Sequence, residues 1–175
     1  MKENLKMTTQ TAPQSYSPPV PAGADHAVCQ ALQGTVVLMV DLQLQAKQAH
    51  WNVIGRSFRS LHTHLDDIVD LARGAADTFA ERMRALGAYP DARVGVVAAT
   101  STLLAAPEGS RSTEQAARAV STRLRLAAEA LRHAHSTVET LDSPTADLIN
   151  QVVVDVEKHA WMLEAEVTPH GGDQS

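Results

Sequence analysis

Residues 57–87 read SFRSLHTHLDDIVDLARGAADTFAERMRALG. Leu61, Leu65, Ile68, Ala72, Ala75, Phe79, Met83 and Leu86 advance through this stretch in steps of three and four. That spacing lays one apolar stripe along a helix and predicts a bundle helix from near Ser57 to near Gly87, a glycine suited to a C-terminal stop. A second stripe shares the helix: His62, Asp66, Asp77 and Glu81 form two pairs, each spaced four apart. At about 100° per residue, with His62 at zero, Asp66 falls at about 40°, Asp77 at about 60° and Glu81 at about 100°. The apolar stripe centres about 100° to the other side of His62. Four residues of metal-ligating type thus face roughly away from the chain's own core.

Distance sets the second constraint. Asp66 and Asp77 lie about 16 Å apart along a straight helix. Metal bonds to side-chain donors are about 2 Å long, so the two pairs cannot close on one ion within one helix. They can if two copies cross antiparallel about a twofold axis, His62 and Asp66 of one facing Asp77 and Glu81 of the other. A twofold interface is self-complementary and yields two equivalent sites. His50 ends the preceding helix, just before a tight turn at 52–55, and can bring a second imidazole towards His62. Two imidazoles and three carboxylates suit borderline ions such as Fe(II), Mn(II) or Zn(II), and are too hard for Cu(I). Acids on an outward helix face are also commonly just solvated, and spacing alone leaves both readings open.

Working outward, three further helices are expected. One runs from about Asp25, a candidate N-cap, to Asn52. Another starts near Ser112, where Ser112 and Gln115 have capping-box spacing, and continues to about Leu141. Its apolar stripe is Ala117, Val120, Leu124, Ala127, Leu131, Ala134, Val138 and Leu141. The last opens at Ser143-Pro144, a cap followed by proline in the first turn, and stops before Pro169. The link from Ala88 to Arg111 is long enough to cross the bundle, with a short helix in Val94–Leu104. Residues 1–25, rich in Thr, Gln, Ser and Pro, read as a disordered tail, 26–167 as the bundle and 168–175 as a second tail.

Composition agrees. Aromatics are 3% of 175 residues, which favours an all-α fold over a β one. No uninterrupted apolar run reaches the roughly 20 residues of a membrane span. With no apolar segment after Lys2 and Lys6, and a single Cys29, the chain reads as cytoplasmic. A net charge of −5 makes a poor nucleic-acid ligand unless the basic groups are concentrated.

The run Lys47-Gln48-Ala49-His50-Trp51-Asn52-Val53-Ile54-Gly55, then Phe58, Leu61-His62, Asp66, Asp77, Ala80-Glu81-Arg82 and Leu86-Gly87, resembles the signature of the Dps miniferritins, members of the ferritin-like superfamily. Residues 145–148 and 159–163 resemble that family's last helix. The likeness covers about residues 26–167. It implies a ferritin-like four-helix bundle assembled into a hollow homododecamer, with ferroxidase sites at the twofold interfaces. It assigns His50, His62 and Asp66 of one subunit, with Asp77 and Glu81 of its partner, as metal ligands, and places Trp51 beside them.

The implied reaction oxidises Fe(II) to Fe(III), preferably with hydrogen peroxide and more slowly with dioxygen, and stores the ferric oxide in the cavity. Two Fe(II) supply both electrons, so peroxide goes to water without releasing hydroxyl radical. This iron-storing, ferroxidase reading protects the cell and its DNA from oxidative damage. Family pores are lined by acids near the start of the last helix; Asp142 and Asp147 are the candidates, with first-turn helix acids the plain alternative. Twelve copies at −5 carry about −60, a field that draws cations.

Dps members that bind DNA use lysine-rich tails, and this tail offers Lys2, Lys6 and the amino terminus against Glu3. A nucleoid-associated structural protein with a secondary metal site is one rival; a Zn(II) or Mn(II) buffer on the same ligands is another. A conventional ferritin centre inside the bundle needs Glu-x-x-His, which the chain lacks. His26, His64, His133, His135, His159 and His170 carry no assigned metal role.

Overall fold

The computed structural model describes residues 25–168. The expected tails fall outside these residues, except that Asp25 and Thr168 cap the first and last helices. The elements are α1 (His26–Asn52), β1 (Val53–Ile54), α2 (Phe58–Ala85), α3 (Val94–Thr100), β2 (Arg111–Ser112), α4 (Thr113–Val138) and α5 (Ser143–Val167). Four long helices form the bundle. α1 packs chiefly on α2 and α4 on α5, and the two hairpins meet along α1 and α4.

Local sequence sets most boundaries. The Asp25 carboxylate accepts from the backbone N–H of Ala27 and Val28 and opens α1. Ser112 and Gln115 form the reciprocal capping box of α4. Two ends differ from the sequence expectation. α4 stops at Val138 rather than Leu141, and Asp142, not Ser143, holds the N-cap position of α5. Asp142 makes no side-chain capping bond, because its carboxylate is committed to the Arg82 guanidinium and the Thr145 hydroxyl.

The long link lies along α1. Gln33 Nε2 donates to the Asp91 carbonyl at 2.7 Å, and farther on Ser101 donates to Asp41. The link then ends in β2, which pairs in parallel with β1: Val53 with Arg111, Ile54 with Ser112. This two-residue pairing is absent from an all-helical reading; it ties the start of α4 to the end of α1. Gly55 turns the chain here at φ 115°, a left-handed conformation that glycine adopts without strain.

The core joins all four long helices. Leu32, Met39 and Leu42 meet Leu61, Leu65, Ile68, Phe79 and Met83, with Leu124 and Leu131 of α4 and Ile149 and Leu163 of α5. Among the described residues, α1 alone is long and apolar enough to pass a membrane-span test. Its apolar face is spent on this core.

Candidate metal centre

His50 lies in the last turn of α1 and His62 in the second turn of α2. The short β1 turn brings them together, with ring centroids 3.6 Å apart and planes inclined by 22°. His50 Nδ1 is 2.9 Å from the His62 carbonyl, and His62 Nδ1 is 3.0 Å from the His50 carbonyl. A carbonyl can only accept, so both Nδ1 atoms carry the hydrogen. In the neutral rings each Nε2 then holds a lone pair, and neither Nε2 has a hydrogen-bond partner among the described residues. This is the tautomer a metal-ligating imidazole needs, fixed by backbone outside the coordination sphere. Phe58 packs on His62 with centroids 4.8 Å apart.

Asp66 joins the pair, with Oδ1 3.3 Å from His50 Nδ1. The same oxygen accepts from Lys47 Nζ at 2.5 Å. The Lys47 ammonium, helped by the nearby imidazoles, holds the Asp66 carboxyl below the ordinary carboxylate range. Sequence reasoning gave Lys47 no role. The available signal was its position one helical turn before His50 on α1.

Asp77 and Glu81 are exposed farther along α2, and among the described residues neither makes a hydrogen bond or ion pair. No three His, Cys, Asp or Glu side chains among the described residues converge to hold an ion within one chain. One chain sets His50 beside both His62 and Asp66 without aiming their donors at a common point, Asp66 lying on the Nδ1 side of His50, and leaves Asp77 and Glu81 apart.

The ferritin-like domain family matches residues 29–168. The chain is 35% identical over 136 residues to DNA protection during starvation protein 2 of Deinococcus radiodurans, covering 78% of this chain and 56% of that one. It is 31% identical over 134 residues to the DNA protection during starvation protein of Brevibacillus brevis, covering 77% of this chain and 90% of that one. The chain belongs to the Dps miniferritin family. The solved Dps of Microbacterium arborescens, in its high-iron form, superposes with a TM-score of 0.77 at 33% identity, over 81% of this chain and 92% of that chain. The match spans nearly the whole of that Dps chain, whereas the Deinococcus relative extends well beyond it.

Three further positions complete the Dps comparison. Trp51, next to His50, is 68% exposed and free to lie against another surface. Of the two pore candidates, Asp147 is exposed, and among the described residues its carboxylate has no partner. Asp142 is different: Arg82 Nη2 lies 2.7 Å from its carboxylate. Burial works against its charge, but the hydrogen bonds from Thr145 and Arg82 together hold its carboxyl below the ordinary range.

Proposed function

We propose that this Dps-family chain is a ferroxidase and iron store that consumes hydrogen peroxide. His50, His62 and Asp66 of one subunit, with Asp77 and Glu81 of the partner subunit, would bind the Fe(II) substrate at a twofold interface. The observation that carries the reading is the reciprocal bonding of the two imidazoles, which presents both Nε2 lone pairs already oriented. Asp77 and Glu81 support it as uncommitted carboxylates on the outward stripe of α2. In the reaction two Fe(II) give one electron each, and peroxide with two protons becomes two waters. The donor set supplies ligand geometry and leaves coordination positions open to the oxidant.

Twelve copies enclosing a cavity would retain the Fe(III) oxide. Iron would enter past Asp147, while Asp142, tied to Arg82, holds the start of α5 in place. The relatives are named for protecting DNA during starvation. Removing Fe(II) and peroxide together would give that protection in the cytoplasm without a DNA contact.

The test is anaerobic Fe(II) loading followed by peroxide, comparing wild type with Asp77→Ala/Glu81→Ala. Rapid oxidation at about two Fe(II) per peroxide is expected in wild type, and slow oxidation in the double variant. Equal rates would remove the site. Sedimentation should show about twelve chains; a fully active monomer would contradict the shared centre.

A further inference from the structure

A second histidine pair lies outside the site described above. His64 Nε2 on α2 and His159 Nδ1 on α5 are 2.9 Å apart, with ring centroids at 5.2 Å. The centroid distance exceeds the nitrogen separation by about one ring radius at each end. Both nitrogens and both centroids therefore lie close to one line. His64 is 8% exposed and His159 half-buried, and both border a surface cavity of about 580 Å³ that Met162 and Asp67 also line.

We propose that His64, His159 and Met162 form a binding site for a soft monovalent d10 cation of the Cu(I) class. Two facing imidazoles suit the low coordination number of a d10 ion, a near-linear nitrogen pair with a third, thioether ligand at its side, and they do not match the tetrahedral angle that Zn(II) prefers. Met162 follows His159 by three residues on α5, one helical neighbour away, and brings a thioether to the same cavity. Thioether sulfur selects Cu(I) over the harder Fe(II) and Mn(II). Burial, His64 and Lys158 together hold the His159 imidazole below its ordinary value against Asp67 and Asp155, which favours the neutral ring that a metal ligand must present.

Loading requires one change. The proton now shared between the nitrogens must leave or move to an outer ring nitrogen. The nitrogens must then separate to about 4 Å, twice a metal–imidazole bond of about 2 Å. His159, the less buried partner, can supply that movement by side-chain rotation. No electron transfer is involved, and the site is independent of the proposed iron chemistry at His50 and His62.

The experiment is anaerobic Cu(I) competition against a chromophoric Cu(I) chelator, with X-ray absorption at the copper edge, on the assembled protein. Wild type should retain one more Cu(I) per chain than His159→Gln. It should show a sulfur scatterer that disappears in Met162→Leu, whose apparent Cu(I) affinity should fall by about tenfold or more. Met162→Leu keeps the His64–His159 hydrogen bond, so its effect is not one of lost helix docking. Equal Cu(I) retention in all three proteins would show that the pair is a helix-to-helix hydrogen bond alone and overturn the proposal. So would a sulfur scatterer that survives in Met162→Leu, or Zn(II) displacing the extra Cu(I) at equal concentration.

Discussion

His50 and His62 each donate Nδ1–H to the other's main-chain carbonyl, so each ring fixes the tautomer of its neighbour. The two imidazoles form one unit spanning the α1–α2 turn, and removing either disturbs both. His50→Phe keeps a stacked ring but deletes one nitrogen donor and leaves the His62 carbonyl without its side-chain partner. The expected result is a stability loss of about 1 kcal/mol and an Fe(II) affinity reduced by about tenfold or more, read by anaerobic calorimetry. Unchanged affinity would take His50 out of the centre.

Lys47 holds Oδ1 of Asp66, which sets an ammonium beside a carboxylate of the proposed centre. Removing it in Lys47→Gln deletes a competing cation and a positive charge beside the site. Tighter Fe(II) and Co(II) binding is expected, together with a rise of the Asp66 carboxyl towards its ordinary value. The sign follows from linkage. In wild type the folded-state value is depressed, so the Lys47 contribution is present above the ordinary carboxylate range and is lost as pH falls through the lowered value. Wild type and variant should thus differ in metal affinity near neutrality. Weaker binding in Lys47→Gln would mean that the ammonium positions Asp66 rather than blocking it.

The fold was legible where one physical signal dominated. The apolar stripes of α2 and α4, Asp25 and the Ser112–Gln115 box act within a turn or two of themselves, so spacing alone located them. The ligand stripe was legible as an arc on α2 for the same reason. What escaped depends on contacts distant in sequence. Lys47 meets Asp66 across 19 positions, His64 meets His159 across 95, and β1 pairs with β2 across the whole crossover. Asp142 reads locally as a helix-start acid. Only the approach of Arg82, 60 residues earlier, commits its carboxylate.

The Arg82–Asp142 pair gives a stability test. Both side chains are less than a quarter exposed, and Asp142 accepts two guanidinium hydrogen bonds at 2.7 and 2.9 Å. Asp142→Asn should cost about 2 kcal/mol at pH 7, measured by chemical denaturation. The folded-state value of Asp142 is depressed, so the native advantage is complete above the unfolded value of about 3.9 and disappears as pH falls through the lowered one. The two proteins should converge in strongly acidic solution. A constant difference across that range would assign the cost to packing.

Arg123 anchors the crossover and yields the sharpest mechanical prediction. Only 7% exposed, it donates to Gln45 at 2.5 Å, to the Ala119 carbonyl at 2.6 Å and to the Ala105 carbonyl in the crossover. Burial lowers its pKa and Asp41 opposes the shift. Gln45 in turn donates to Asp41, which also accepts from Ser101, so one partly buried network joins α1, α4 and the end of α3. Arg123→Met keeps the unbranched stem but deletes the guanidinium, which strands the acceptors on Gln45 and Ala105 and removes the positive charge opposite Asp41. Breaking a buried charged network from one side costs about 3 kcal/mol. The loss should concentrate in residues 101–110, which contain no helix, and limited proteolysis should cut there first in the variant. Equal protease resistance with a uniform loss of stability would show that the crossover is held by its apolar contacts and not by this guanidinium.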